Sequence, residues 1–503
     1  MPLSMLLEMS AEAWPDRGAL GTRDGRLTYG QLRAAATSGA HALLETGARS
    51  VAYLGLNGPD FAVALWSAAL AGLPFCPLSY RMSGEQLRPL LARLDAPVVL
   101  TTAAYEPLID GAQVRRLSLD ALTAAGAHQA EDDPLPAVAD DATAVLLFTS
   151  GTTATPKAVV LTHENLVSYV IETVEFGLAA PDDAILVTMP PYHVAGVNAA
   201  LTNPFAGRRI VYLPNFDPAS WLATARAEAV THAMVVPTML ARIVDELGGK
   251  AAGLPALRVL SYGGARMPRA VLERALTAFP DAGFVNAYGL TETSSTIAVL
   301  SPEDHRAALG SADPAVRARL SSVGRLVPGV TAEVRDAAGA VLAPGAVGDI
   351  WLRGRQISGT YLGQGSALDG AGWFPTRDRG HLDADGYLYI SGRADDTIIR
   401  GGENIAPAEI EEVLTAHEAI ADAVVVGRRD DEWGERIVAV IVRRPDAALQ
   451  AEDVRGFVRA RLRGSRVPDD VVFVPELPYT PTGKLIRREL GAVLAAVESR
   501  AAG

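Results

Sequence analysis

The segment Thr149 to Lys157 reads TSGTTATPK, in which hydroxyl residues surround one glycine and a Pro-Lys pair closes the run. It follows the apolar run Ala144-Val145-Leu146-Leu147-Phe148, which has the character of a buried strand. Small and hydroxylated residues let backbone N–H and side-chain O–H groups close around phosphate oxygens, and a lysine adds a point charge. The spacing is not G-x-x-x-x-G-K-[ST], so this is not a Walker loop. The plainer alternative is a polar turn between that strand and a helix-like segment starting near Thr162. Further along lie Tyr192-His193-Val194-Ala195-Gly196 after Pro190-Pro191, Tyr288-Gly289-Leu290-Thr291-Glu292-Thr293 after Phe284-Val285-Asn286, Thr376-Arg377-Asp378, Gly392-Arg393-Ala394-Asp395-Asp396, and Pro481-Thr482-Gly483-Lys484. Singly, each reads as a turn, a solvated loop or a surface lysine. Their order along one chain is what carries weight.

The elements that position these groups follow a β-α-β rhythm. Val51 to Leu56, Phe75 to Leu78 and Val98 to Leu100 read as strands; Phe61 to Leu70 and Gln86 to Leu94 read as helices. The pattern returns at Ala184 to Val187, Arg209 to Leu213 and Ala233 to Val236, and predicts parallel sheets with helices on both faces. From Gly324 to Ile357 the texture turns to valine, glycine and proline, as in a small β-rich subdomain. The last hundred or so residues form a smaller unit, with a helix from Pro407, strands at Ala421 to Val426 and Ile437 to Val442, and a helix at Val454 to Leu462.

Composition bounds the function. A chain of 503 residues can bury a large core and hold two or more domains. The net charge of −13 argues against nonspecific binding to nucleic acid or anionic membranes. No apolar run is long enough for a membrane span, and the acid-bearing N-terminus does not read as a secretory signal. Cys76 is the single cysteine, which excludes an internal disulfide and a cysteine-cluster metal site. The expected location is the cytoplasm.

Taken in order from Leu27-Thr28-Tyr29-Gly30-Gln31-Leu32 to Lys484, these motifs resemble those of the adenylate-forming superfamily of acyl-CoA synthetases, peptide-synthetase adenylation domains and luciferases. The resemblance implies an α/β fold: a large N-terminal domain (1–394) of stacked doubly wound sheets plus a β-rich subdomain, and a small mobile α+β C-terminal domain (395–503). It implies that ATP and a carboxylic acid form an acyl-adenylate and pyrophosphate, after which a thiol displaces AMP. Attack of a carboxylate on a phosphate brings anions together, so the first step needs charge neutralisation.

The roles implied by the resemblance are these. Thr149, Ser150, Gly151, Thr152, Thr153 and Lys157 grip the leaving pyrophosphate. Glu292 coordinates Mg²⁺, a hard cation suited to carboxylate oxygen, and Thr291 bonds the α-phosphate. Tyr288 stacks on adenine, with Gly263, Gly264, Ala265, Asn286, Ala287 and Gly289 around the base. Asp378 accepts the ribose hydroxyls and Arg393 supports that end. Lys484 bridges the carboxylate and the α-phosphate. His193 walls the carboxylate end of the acyl pocket. Asp395 is the hinge about which Lys484 withdraws and Gly401, Gly402, Glu403 and Trp433 come to the thiolation face.

Three positions depart from the family's pattern: Ala154, Ala158 and Arg377 stand where glycine is usual. An arginine before Asp378 either contacts the C-terminal domain or points to solvent. The positions matching the acyl pocket, Val194, Val197, Asn198, Val236, Pro237, Tyr262, Ser295, Thr296 and Ile297, carry no charge. An ionised second group on the acid would be buried there at a cost of several kcal/mol. The expected substrate is a hydrophobic monocarboxylic acid, with Ala287 and Gly289 leaving room for a long chain or bulky ring. Coenzyme A is the expected acceptor, and the arginines at 428, 429, 455, 459, 461, 463 and 466 are candidates for its phosphates. The alternatives are a freestanding enzyme that loads a carrier protein, or a non-catalytic ligand-binding protein on the same fold. A homodimer stays open.

Overall fold

The computed structural model describes residues 1–124, 134–149, 156–401, 403–430, 432–445, 447–480, 485–487 and 489–494. Ser150, Gly151, Thr152, Thr153, Ala154, Gly402 and Lys484 therefore lie outside the described residues.

Two large sheets dominate the N-terminal part. One has eight described strands; one half of it is the parallel set Phe75–Pro77, Ser50–Leu54, Pro97–Thr101 and Arg115–Ser118, and Thr143–Thr149 joins that set in parallel. Ser50–Leu54 is buried at every residue, as its apolar stretch Val51–Leu54 requires of a strand covered on both faces. The other has nine described strands, with Ala184–Val187, Arg209–Tyr212, His232–Val235, Val259–Gly263 and Gly283–Leu290 running parallel. A shared core holds the sheets together, built around Leu6, Leu32, Phe61, Trp66, Val197 and Leu201 on intervening helices and Val51, Val145, Val187 and Ile210 on the strands. Separate clusters cover the outer faces, around Leu87 and Leu90 on one sheet and Trp221, Leu240 and Leu272 on the other. This is the expected stack of doubly wound sheets.

Local chemistry sets the helix ends. Thr28 with Gln31 and Ser83 with Gln86 form capping boxes at the starts of Tyr29–Glu45 and Gly84–Leu91. Gly72, in the left-handed region, ends Pro59–Ala71.

The β-rich subdomain is a four-stranded antiparallel sheet of Thr331–Arg335, Gly348–Arg353, Phe374–Leu382 and Leu388–Arg393. It begins later than the composition suggests, because Arg325–Leu326 pairs instead with Ser295–Leu300 at the edge of the nine-stranded sheet. One turn of 3₁₀ helix, Ala394–Asp396, leads into the C-terminal unit. There Ile420–Asp430 and Gly434–Arg443 form a long hairpin, joined by Asp470–Val474 and backed by Pro407–Thr415 and Ala451–Arg459.

The helix begins where the sequence places it, just after Thr162, but the stretch between Lys157 and that helix, unassigned from sequence, is a strand. Lys157–Thr162 is a second strand, antiparallel to Thr143–Thr149 with Thr149 opposite Lys157, and the helix His163–Thr173 starts only after it. The β-branched run Val159-Val160 favours the strand, and Thr162 with Asn165 caps the helix. The two described ends of the phosphate-loop motif, Thr149 and Lys157, thus face each other in a ladder, and Lys157 leads into a strand. Ala158 is not a loop residue either: it lies fully buried in the ladder opposite Phe148, and its carbonyl accepts from Leu362 N.

Candidate active site

Strand register brings distant motifs together. Gly263 pairs with Ala287, so Gly263-Gly264-Ala265 and Asn286-Ala287-Tyr288 leave adjacent parallel strands at their carboxyl ends, where ligands bind in open α/β sheets. A Cβ on Gly263 would lie 2.2 Å from the Ala287 carbonyl oxygen, so glycine permits this close approach. Asp378 pairs directly with Arg393 across the subdomain sheet.

These residues form one polar cluster. Asp378 is 4% exposed. Its Oδ1 accepts from Arg393 Nε at 2.8 Å and its Oδ2 accepts from the Tyr288 hydroxyl. Arg393 also reaches Thr376 O at 3.2 Å, and the Asp378 backbone N–H donates to Thr376 Oγ1 at 3.0 Å. Burial, and then the Asp378 charge, push the Tyr288 phenol well above its ordinary value, so it stays a donor. Donors on both oxygens fix the orientation of the carboxylate. Asn286 Nδ2 reaches Ser322 O at 3.4 Å.

Beyond Tyr288 the chain makes a tight turn. Thr291–Thr293 is a 3₁₀ turn, and Ser294 and Ser295 follow at φ of 56° and 118°. Thr293 Oγ1 bonds within the turn, Gln356 Nε2 donates to Thr293 O and Thr296 O, and Asn198 Nδ2 donates to Ser294 O at 2.7 Å. The Glu292 carbonyl accepts from Ser358 N, and Glu292 Oε1 accepts from the Tyr361 hydroxyl at 2.9 Å. Tyr361 gave no sequence signal, since only the pairing of Thr360–Tyr361 with Lys157–Thr162 carries it to Glu292. No group of three or more His, Cys, Asp or Glu side chains among the described residues could hold a metal by itself. One carboxylate suits Mg²⁺, which takes one or two protein oxygens and completes its shell with phosphate and water.

His193 is the N-cap of Val194–Ala206, and its Nδ1 accepts from Ala195 N at 3.2 Å. The positions expected to line the acyl pocket carry no charge, and most of them are buried. Val197 and Ile297 are fully buried, and Val194, Asn198, Val236, Pro237 and Tyr262 are buried. The Tyr262 hydroxyl meets His305 Nε2 at 2.8 Å, while His305 Nδ1 meets Ser301 O at 2.8 Å. A carbonyl can only accept, so Nδ1 carries the proton and Nε2 takes the tyrosine's. Burial lowers the His305 pKa, which keeps this chain of groups neutral.

Gly289 does not open the pocket as expected. A Cβ there would lie 1.7 Å from the Ser295 carbonyl oxygen, so its missing side chain makes way for the neighbouring strand at the bulge next to Tyr288.

Arg377 has a φ of 62°, the left-handed region in which glycine is cheapest, and its guanidinium lies 3.9 Å from Asp395 Oδ2. It therefore faces the C-terminal unit. Arg266, just past Gly264-Ala265, reaches the same unit: it donates to Ala408 O at 2.7 Å and pairs with Glu412. Arg487 ties Asp396 (2.9 Å) to Glu411 (3.3 Å).

Of the thiolation residues, Gly401 and Trp433 meet. Gly401 N donates to Trp433 O at 2.8 Å, and Arg400 lies over the indole at 5.3 Å. Glu403 instead pairs with Arg466, which holds its carboxyl below the usual range. Most of the candidate phosphate arginines are engaged: Arg455 with Pro468 O and Asp469 O, Arg459 with Glu452, Arg461 over Phe457, and Arg466 with Glu403 and Glu409.

The chain matches the AMP-binding enzyme family over residues 7–362 and the AMP-binding enzyme C-terminal domain over residues 409–484. It is 32% identical to an indoleacetate–CoA ligase of Aromatoleum aromaticum over 98% of both chains. It is 33% identical to the fatty acid–[acyl-carrier-protein] ligase ScoC of Streptomyces coeruleorubidus, over 93% of this chain and 92% of that one. The o-succinylbenzoate CoA synthetase of Bacillus subtilis, solved with its acyl-adenylate intermediate, superposes with a TM-score of 0.85 at 28% identity, covering 97% of this chain and 98% of that one.

Proposed function

Since the chain belongs to the AMP-binding enzymes of the adenylate-forming superfamily, with acyl- and aryl-CoA ligases among its relatives, we propose that it activates a hydrophobic monocarboxylic acid and passes the acyl group to coenzyme A. ATP use, CoA use and an AMP-forming ligase reaction belong to the family. The acid's class and the residue roles are our reading. The observation that carries it is the Tyr288–Asp378–Arg393 cluster, which joins the nine-stranded sheet to two paired strands of the subdomain close to the Thr291-Glu292 turn.

In this reading Asp378, held in place by Arg393 and Tyr288, accepts the ribose hydroxyls. Tyr288 and the backbone of Gly263 to Ala265 flank the base. Thr291 donates to the α-phosphate. Glu292 presents carboxylate oxygen to the Mg²⁺ that, when bound, screens phosphate charge. Lys157 meets the β/γ end. The acid's carboxylate attacks the α-phosphorus, the bond to the bridging oxygen breaks, and pyrophosphate leaves. Lys484 stabilises the anionic oxygens in that step. The thiol sulfur then attacks the acyl carbon and AMP leaves.

We assign residues 1–394 to the adenylating domain and residues 395–503 to a mobile one pivoting at Asp395. The single turn Ala394–Asp396 between two independently hydrogen-bonded sheets supports that division. The absence of charge at the expected acyl-pocket positions, with Tyr262 bonded to His305, supports an acid with no second charge.

Loading of a carrier protein is the second reading, and the similarity to ScoC favours it. A panel of fatty, aromatic and polycyclic acids, assayed for CoA thioester, separates the two. Thioester from CoA with at least one uncharged acid is the expected result. Acyl-AMP that accumulates without thioester would favour the carrier protein, and activity confined to dicarboxylic or sulfonated acids would overturn the neutral-pocket reading.

A further inference from the structure

We propose that Tyr361 is a positioning residue that orients Glu292 and keeps its carboxylate from pairing with Lys157, so that both charges stay available to the nucleotide's phosphates. The proposal rests on the reading of Glu292 as the carboxylate that serves the metal.

Strand geometry explains why the three meet. Tyr361 pairs with Val159 across the antiparallel ladder, and paired residues share a face. Lys157, two residues before Val159, lies on that face too. The diagonal neighbours are then Lys157 and Tyr361, and the lysine Nζ lies 5.2 Å from the ring centroid, within cation–π range. From the other side the Tyr361 hydroxyl donates to Glu292 Oε1 at 2.9 Å. The segment leading to Tyr361 is fastened to both partners: Ser358 N donates to the Glu292 carbonyl at 2.9 Å, and Ser358 Oγ donates to Val160 O.

The choice of tyrosine has a chemical sense. A neutral donor fixes one carboxylate oxygen without cancelling its charge, which leaves Oε2 to a hard cation or its water. A lysine in the same place would form an ion pair and spend both charges on each other. The ring takes the ammonium on its face instead, separated from the carboxylate by the length of the phenol.

Two variants separate the two parts. Tyr361→Phe keeps the ring and loses the hydroxyl; Tyr361→Leu loses both. ATP binding to the full-length protein is measured by calorimetry across a Mg²⁺ titration, with thermal unfolding as a folding control. Loss of one hydrogen bond to a charged group should raise the Mg²⁺ concentration for half-maximal ATP affinity about fivefold or more in Tyr361→Phe. Affinity at saturating Mg²⁺ should change little in that variant. In Tyr361→Leu, affinity at saturating Mg²⁺ should fall as well, because Lys157 is freed to pair with Glu292. Thioester formation from supplied acyl-AMP should be unchanged in both. A Mg²⁺ dependence unchanged in Tyr361→Phe but weakened in Glu292→Gln overturns the role of Tyr361 alone. A dependence unchanged in both overturns the metal reading of Glu292 and the proposal with it. Identical profiles for Tyr361→Phe and Tyr361→Leu overturn the spacer role of the ring.

Discussion

Replacing Tyr288 by phenylalanine removes one oxygen from the candidate nucleoside site and leaves the ring that we propose flanks the base. Asp378 is 4% exposed and accepts from that hydroxyl as well as from Arg393 Nε at 2.8 Å. A hydrogen bond to a charged group contributes roughly 1.5–3 kcal/mol. Part of this is recovered when water or a ribose hydroxyl takes the vacated lone pair, so a net loss of about 1–2 kcal/mol is the reasonable figure. That corresponds to a rise of roughly 5- to 30-fold in the KM for ATP. The adenosine moiety is common to ATP and the acyl-adenylate, so the KM for supplied acyl-AMP should rise by a similar factor. The KM values for the acid and for CoA should not move. ATP–pyrophosphate exchange and thioester formation from supplied acyl-AMP provide the two readings. An unchanged KM for ATP, or a rise confined to the acid, would refute the placement of the ribose at Asp378.

Arg266→Ala removes an exposed ion pair to Glu412 and a bond to Ala408 O. An exposed pair contributes about 0.2–1 kcal/mol, so adenylation should slow about two- to fivefold while thioester formation from acyl-AMP is unchanged or faster. Restoration in the Arg266→Glu/Glu412→Arg pair would attribute the effect to the latch, and equal slowing of both half-reactions would not. Gly289→Ala forces a methyl group against the Ser295 carbonyl and should lower Tm without altering the preferred size of acid. A normal Tm with a shifted size preference would return Gly289 to the pocket. His163 is 1% exposed and its Nδ1 accepts from Leu3 N at 3.0 Å. Burial lowers its pKa from 6.5 to about 4. Its stabilising contribution is complete above pH 6.5 and is lost as pH falls toward 4, because the unfolded chain then binds the extra proton. The cost between pH 7 and 5 is about 2 kcal/mol; urea midpoints should show it in the parent and not in His163→Asn.

Much of this was legible in the chain because motif chemistry is local. The Thr-Glu pair at 291–292, Asp378 and Arg393 each sit in a recognisable short sequence. The alternation of buried strands with amphipathic helices also announces parallel sheets. What was not legible depends on pairing. Nothing near Tyr361 in sequence indicates Glu292 or Lys157, which it meets only through the ladder with Lys157–Thr162. The same ladder was hidden because its β-branched run leads straight into a helix cap at Thr162. Gly289 misleads for a general reason: a small residue makes room either for a ligand or for a neighbouring backbone, and only coordinates say which. At Arg377 the positive φ accounts for the usual glycine, and the contact with Asp395 shows where the arginine points.

The central claim is that one cleft makes an acyl-adenylate and then gives its acyl group to a thiol. The direct measurement is acid-dependent ATP–pyrophosphate exchange on the full-length protein without CoA, followed by CoA addition and quantification of AMP and thioester. Exchange that requires the acid, then one AMP released per thioester formed, is the predicted result. Exchange absent with every acid in a broad panel, or ADP and phosphate in place of AMP and pyrophosphate, would contradict it.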